Sequence, residues 1–301
     1  MEQGTVIGSY SIVRPLGRGG MGSVHAAEHI ETKEPVALKI LLEQEAASNL
    51  QVEQARRLRD EATAASKVQH PAILKVLDSG DDSSYGPYVV YQLLSGRTLR
   101  DELREGRRFA SDELLDRLLR PILGGLVELH GAGIVHRDIK PENIFLGDDG
   151  KFVLGDFGLA RFEGRAAKTK TGLIVGTPAY IAPEQVMQPN ENPSPTADLY
   201  SLCLVVIEAL RGNTGEAKDG MAELSKRLKR VPSLNLIPKP WPNLLRQVLS
   251  PRPEERIQSA EAFLTILDST FNYPVENETR AVNRATSRGR RSLLVGLAVL
   301  C

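Results

Sequence analysis

Ile134-Val135-His136-Arg137-Asp138-Ile139-Lys140-Pro141-Glu142-Asn143 is the stretch on which the reading of this chain turns. From Asp138 onward it sets a carboxylate (Asp138), a cation (Lys140) and an amide (Asn143) close together. Pro141 among them has no N–H and disfavours helical geometry at the residue before it, so the segment is expected to be a rigid loop aiming polar side chains at one point. Beyond it, after the apolar run Phe152-Val153-Leu154, comes Asp156-Phe157-Gly158. A carboxylate and an amide on neighbouring loops can share a metal ion, and a second carboxylate beside them can receive a proton.

Upstream, residues 10–40 alternate apolar and polar positions and are cut by glycines, the pattern of strands joined by tight turns. They contain Leu16-Gly17-Arg18-Gly19-Gly20-Met21-Gly22-Ser23-Val24, a G-x-G-x-x-G pattern. A dinucleotide-binding fold would open a helix directly after such glycines. Here Val24-His25-Ala26-Ala27-Glu28-His29 leads into a second short strand, so the glycines are expected at a hairpin tip that can lie over phosphates. Val36-Ala37-Leu38-Lys39 then ends a strand in a lysine among apolar neighbours, and an ammonium placed there calls for anionic partners.

In this order and spacing the motifs resemble the bacterial eukaryotic-like (Hanks-type) serine/threonine protein kinases. The resemblance covers about residues 10–268 and implies an α+β bilobal protein kinase fold. Residues 10–94 would form a small β-rich N-lobe with one regulatory helix, and residues 95–268 a larger, mainly helical C-lobe. It further implies ATP with Mg²⁺ (or Mn²⁺) and transfer of the γ-phosphate to protein hydroxyls. Asp138 would act as base and Lys140 would reach the transferred group. Lys39, paired with Glu61, would grip the phosphates, and Asn143 and Asp156 would hold the metal. Gly17, Gly19 and Gly22 would cover the nucleotide. Leu16, Val24, Ala37, Tyr91, Leu93 and Phe145 would line the rest of its site, and the backbone at Gln92 and Leu93 would meet adenine. Structural roles are implied for Arg137, for Thr177 beside Asp138 and Lys140, for Asp198 beneath the loop, and for Glu184 paired with Arg256. Thr169 and Thr171, in a basic segment before Thr177, match sites at which bacterial members phosphorylate themselves, through a transient homodimer.

Between the motifs, residues 43–68 lack Gly and Pro and favour a long helix by propensity. The resemblance prefers Glu61 on it to Glu53 as the partner of Lys39, because Glu61 lies nine residues before His70-Pro71, a spacing typical of bacterial serine/threonine kinases, and Glu53 lies too early. Residues 73–77 and 88–94 read as strands about a polar turn at 80–86. Ser111 is placed to cap a helix starting at Asp112, along which Leu115, Leu118, Leu119, Ile122, Leu126 and Leu129 recur at helical spacing. Residues 196–210 read as a helix buried on most sides. Here the chain departs from the family it resembles: the stretch 212–244 is short and carries Asn213-Thr214-Gly215-Glu216 in place of the Pro-Phe segment common there after that helix.

The formal net charge is zero, yet residues 279–291 carry five arginines and no acid, and residues 292–301 carry no charge, so residues 1–278 hold 0 − 5 = −5. An acidic body argues against nucleic acid as a partner. Two cysteines, Cys203 and Cys301, form neither a disulfide framework nor a zinc spacing and suit a reducing compartment. No signal peptide is expected at Met1-Glu2-Gln3-Gly4. Residues 1–9 are taken as an extension and 269–291 as a basic linker of juxtamembrane type. Residues 292–301 are an apolar run too short to span a bilayer alone and read as the start of a membrane segment. A cytoplasmic kinase domain with a C-terminal membrane tether and protein substrates is the resulting expectation. Two other readings stand beside it: a kinase-like module that binds without transfer, and a small-molecule phosphotransferase. Retention of Lys39, Asp138 and Asp156 speaks against the first. The Ala182-Pro183-Glu184 segment with Thr177 speaks against the second.

Overall fold

The structure, a computed structural model, describes residues 1–19, 22–41, 64–94, 97–147, 149–155, 167–168, 174–175, 179–188, 194–212 and 220–271. The N-terminal third builds an antiparallel sheet of β1 (Val6–Ile7), β2 (Tyr10–Gly19), β3 (Gly22–His29), β4 (Pro35–Leu41), β5 (Val76–Asp82) and β6 (Gly86–Gln92), in the spatial order β1-β2-β3-β4-β6-β5. Alternation in β4 decides how the sheet presents itself. Val36, Leu38 and Ile40 are buried against Ile7, Tyr10, Ile12 and Val90, while Ala37 turns to the opposite face and packs on the main core. Residues 1–9 are not merely appended to the sheet, since β1 pairs with β2 and Ile7 is fully buried.

The strand after His70 starts later than the sequence pattern indicates. Ile73 and Leu74 do not join the sheet. Ile73 bridges Leu154, and the Leu74 amide donates to the Leu154 carbonyl at 2.8 Å. β5 instead runs through Gly80, opposite Tyr88. A Cβ at Gly80 would fall 2.4 Å from the Tyr88 hydroxyl, so the ring covers the strand there and only glycine fits beneath it.

Helices dominate the remainder: α1 (Leu99–Arg104), α2 (Ser111–Leu114), α3 (Arg120–Gly131), α4 (Pro183–Met187), α5 (Pro195–Arg211), α6 (Gly220–Arg227), α7 (Trp241–Arg246) and α8 (Ala260–Phe271). One π turn, Leu115–Leu119, joins α2 to α3. Ser111 does not cap. Ala110 is the residue before the first turn, and the Ser111 hydroxyl lies 2.9 Å from the indole N–H of Trp241, which donates to it. Burial of that indole gives its donor no water, and the serine is the acceptor within reach. α5 is apolar on nearly all sides and accordingly lies in the core. Of the expected helix over 43–68, only its end near Ala64 and Ala65 falls among the described residues. No helix of the described residues is long and apolar enough to cross a membrane, and residues 292–301 lie outside them.

The segment after His70 meets the helical part where α3 lacks side chains. A Cβ at Gly125 would lie 2.6 Å from Ile73, and one at Gly124 3.0 Å from the His70 ring. Gly125→Ala is therefore expected to destabilise the protein by about 1–2 kcal/mol, overpacking outweighing the gain in helix propensity. Gly131→Ala, with nothing within 4 Å of its Cβ, should be neutral or mildly stabilising. Urea denaturation of both variants checks this, and equal midpoints would refute the close-packed contact.

Candidate active site

Two short strands, β7 (Ile144–Leu146) and β8 (Phe152–Leu154), pair antiparallel directly after the 134–143 loop and hold its end in register. Pro141–Asn143 form a single 3-10 turn, so the loop closes without entering a helix. Three functional groups converge there. The Lys140 ammonium lies 2.7 Å from Asp138 Oδ2, and the Asn143 amide nitrogen donates to that same oxygen at 3.0 Å and to the Asp138 carbonyl at 2.8 Å. Asp138 is thereby fixed in rotation with part of its surface still open. Asn143 spends its N–H groups on Asp138, which turns its carbonyl oxygen the other way. That oxygen is the donor type a hard divalent cation takes.

The loop backbone is strained and held. Arg137 has φ +69, a left-handed conformation that costs a non-glycine residue about 1–3 kcal/mol. Asp198, in the first turn of α5 and 1% exposed, meets that cost. Its two oxygens accept from the His136 and Arg137 amides, each at 2.8 Å, and the His130 ring lies 2.9 Å away. Because a carboxylate can only accept, His130 must carry its proton on Nε2. The same logic sets His136: its Nδ1 accepts from the Asp138 amide at 3.3 Å, so its Nε2 donates to the Gly155 carbonyl at 3.2 Å. The Gly155 amide returns to the Asn143 carbonyl at 2.8 Å. The loop is thus tied to the residue immediately before Asp156. Gly155 is required there, since a Cβ would lie 2.9 Å from Leu74 and 3.0 Å from Phe145.

Above the loop, sheet register aligns Gly17, Val24, Lys39 and Val89 as cross-strand neighbours, and Ala37 beside Tyr91. Val24, Ala37, Lys39, Leu93 and Phe145 are half-buried, Leu16 is largely exposed and Tyr91 is buried. Gly19 pairs with Gly22 at the hairpin end. A Cβ at Gly17 would meet no protein atom within 4 Å, so the strand borders open space at this point. Glu61, Asp156, Thr169, Thr171 and Thr177 lie outside the described residues.

Glu184 and Arg256 form a two-pronged pair, Nη1 to Oε1 at 2.7 Å and Nη2 to Oε2 at 2.6 Å. Arg256 also donates from Nε to the Ser250 carbonyl at 2.8 Å, and its guanidinium stacks 4.6 Å over the Tyr200 ring. Sequence reasoning missed a second cluster. Arg100 in α1 pairs with Glu142 of the loop at 2.9 Å and with Glu208 of α5 at 2.8 Å, and the Tyr180 hydroxyl bonds both Arg100 and Glu208. Burial and the adjacent Glu208 push the Tyr180 phenol far above its ordinary range, so it remains a donor. Glu142 stands inside the motif itself and was the available signal, but its partners come from three other elements.

A model of the protein kinase domain matches residues 10–266. Serine/threonine-protein kinase PknL of Mycobacterium tuberculosis is 38% identical over 214 residues, which is 71% of this chain and 52% of PknL. Serine/threonine-protein kinase PknA of the same species is 34% identical over 266 residues, 86% of this chain and 60% of PknA. The chain thus spans about half to three fifths of the length of these curated relatives. Among solved structures, the M. tuberculosis PknI kinase domain superposes with a TM-score of 0.69 at 24% identity, covering 90% of this chain and 98% of that one, which establishes likeness of fold. With the fold, the convergent loop and these matches in agreement, the chain belongs to the protein kinase family, in its bacterial serine/threonine branch.

Proposed function

We propose that the protein transfers the γ-phosphoryl group of ATP to serine and threonine hydroxyls of proteins, with Mg²⁺ as the metal. The observation that carries this reading is the fixed carboxylate of Asp138, bridged to Lys140 and Asn143 on one rigid loop. The residues present suit the absent groups. Open space borders Gly17, small Ala37 stands beside Tyr91, and the Asn143 oxygen is turned away from Asp138. Bound Mg-ATP would supply the electrophilic phosphoryl group and a charge-neutralised leaving group. Asp138 orients the incoming hydroxyl and takes its proton on the carboxylate as the oxygen attacks phosphorus. Lys140 sits beside that carboxylate and faces the negative charge that moves with the transferred group. Lys39, projecting from β4 on the face of Val24, is placed to hold the phosphates, with Glu61 as its partner. Asn143 and Asp156 are the metal-holding residues in this reading. Asp198, Glu184 and Arg256 hold the loop and the segment after it in position.

Self-activation belongs to the same proposal. Arg161, Arg165, Lys168 and Lys170 crowd the segment that carries Thr169 and Thr171, and Arg137 adds a further cation from the loop. A phosphothreonine brings about −1.5 to −2 charges and three acceptor oxygens, enough to bridge such cations. Transfer between two molecules makes the rate rise with protein concentration.

The experiment is incubation of the dephosphorylated protein with Mg-ATP, followed by peptide mass spectrometry and an assay on an exogenous protein. Phosphate at Thr169 and Thr171 is expected, with activity rising as it accumulates. A Thr169→Ala/Thr171→Ala variant reaching wild-type activity would remove these threonines as the switch, and absence of any transfer would remove the kinase reading.

A further inference from the structure

Far along the chain from the loop, the C-terminal end of α6 opens onto a cavity of about 390 Å³ lined by Glu223, Lys226, Arg227, Arg230, Pro232 and Ser233, with Val231 between them. Three of these side chains are cations, and four of residues 226–230 are Lys or Arg, on a body whose residues 1–278 carry −5. Cations in a last helical turn suit the helix dipole, but that partial charge is only about half a unit and does not call for four of them. Their disposition is also unequal. Lys226 and Arg230 are exposed at the rim, and Lys226 faces Glu223 at 3.3 Å in a solvent-exposed pair of the kind that contributes little and is readily exchanged. Arg227 is 1% exposed and forms the floor. Its Nη1 donates to the Ala179 carbonyl at 2.6 Å, and burial draws its guanidinium below the ordinary arginine range. Two exposed cations and the Ser233 hydroxyl at the rim, with the buried positive charge of Arg227 beneath them, form a set that suits a phosphate monoester.

The cavity's position gives it a partner. Ala179 lies two residues after Thr177, so the floor of the pocket is tied to the chain just beyond the segment that carries Thr169 and Thr171. The loop bearing Ser233 is anchored by Arg211, which donates to the Ser233 carbonyl at 2.5 Å and the Asn235 carbonyl at 3.3 Å. That loop holds Leu236 out at 94% exposure with φ +68. An exposed apolar side chain on an anchored loop near a cationic pocket suits a protein segment better than a free ion. The chain's own 161–171 segment is a poor occupant, because Arg161, Arg165, Lys168 and Lys170 would meet the pocket's cations. A nucleic acid would meet the acidic remainder of the body.

We propose that this pocket binds a phosphorylated serine or threonine of a protein substrate or partner, docking it where Arg227 meets the chain at Ala179. The inference rests on the kinase reading only for the source of that phosphate. A kinase that retains a phosphorylated residue at such a pocket would favour further transfer to the same protein.

The test is fluorescence anisotropy on the full chain without ATP. The probes are a degenerate peptide pool with a fixed central phosphothreonine, the same pool unphosphorylated, inorganic phosphate as competitor, and phosphatidylserine vesicles. The phosphorylated pool is expected to bind at least about tenfold more tightly than its counterpart. Lys226→Glu/Arg230→Glu should abolish that difference, and these exposed positions leave folding intact as judged by circular dichroism. Equal affinity for the two pools would overturn the proposal, as would wild-type affinity in the charge-reversed variant or association with vesicles alone. Transfer assays on the same preparation separate the two readings. A chain that selects phosphopeptide but transfers no phosphate keeps the pocket and loses the kinase function, and the reverse result removes the pocket alone.

Discussion

Asp138→Asn is expected to lower phosphoryl transfer by about 10²–10⁴-fold, the usual loss when a positioned base is removed. Nucleotide affinity should stay close to that of the wild type, because Gly17, Val24, Ala37 and Lys39 approach from the opposite sheet and do not depend on this side chain. The amide is nearly isosteric with the carboxylate and can still offer an oxygen to the Lys140 ammonium, which lies 2.7 Å away in the wild type. It cannot take up a proton from a hydroxyl at neutral pH. The loop backbone is held independently by Asp198 through the His136 and Arg137 amides, so the variant should fold normally. Transfer rate and nucleotide binding measured side by side decide the matter. Near-normal transfer would defeat the role given to Asp138, whereas loss of both binding and transfer would point to a collapsed loop.

Arg256→Met is expected to cost about 3–5 kcal/mol of stability, because Glu184 would be left as a carboxylate without its partner in a nearly buried position. Against a total stability of roughly 5–15 kcal/mol for a domain, that change is large. The guanidinium does more than pair. It donates to the Ser250 carbonyl and covers the Tyr200 ring, so α4, α5 and the turn before α8 lose a common contact. Replacing both partners, Glu184→Met/Arg256→Met, should recover much of the loss, since the uncompensated charge disappears with the second change. Urea denaturation of the two single variants and the double variant forms the cycle. Strictly additive losses would show that the pair is not coupled.

Much of the site was legible in the sequence, and for a physical reason. Asp138, Lys140 and Asn143 lie on one short loop shaped by Pro141, so local geometry alone brings them together. The hairpin carrying Gly17, Gly19 and Gly22 and the strand carrying Ala37 and Lys39 are likewise local, set by alternation and by glycines that only a turn requires. What failed to show was interaction between elements far apart in the chain. Ser111 follows the pattern of a cap, yet Trp241, 130 residues later, claims its hydroxyl. Residues 73 and 74 carry the apolar signature of a sheet strand, yet they pair with Leu154 on the far side of the cleft.

The sequence by itself therefore determined the identity and order of the chemical groups, the hairpin and the loop, because each depends on neighbours a few residues away. Tertiary structure alone decided which groups are held and by what. Asp198 supports the strained Arg137 backbone from 61 residues away, and Arg100, Glu142, Tyr180 and Glu208 meet from four separate segments. Such contacts leave no periodicity in the chain. They arise where packing of α1 and α5 against the loop removes water, so that each buried charge must find its counter-charge among the residues the fold happens to bring near.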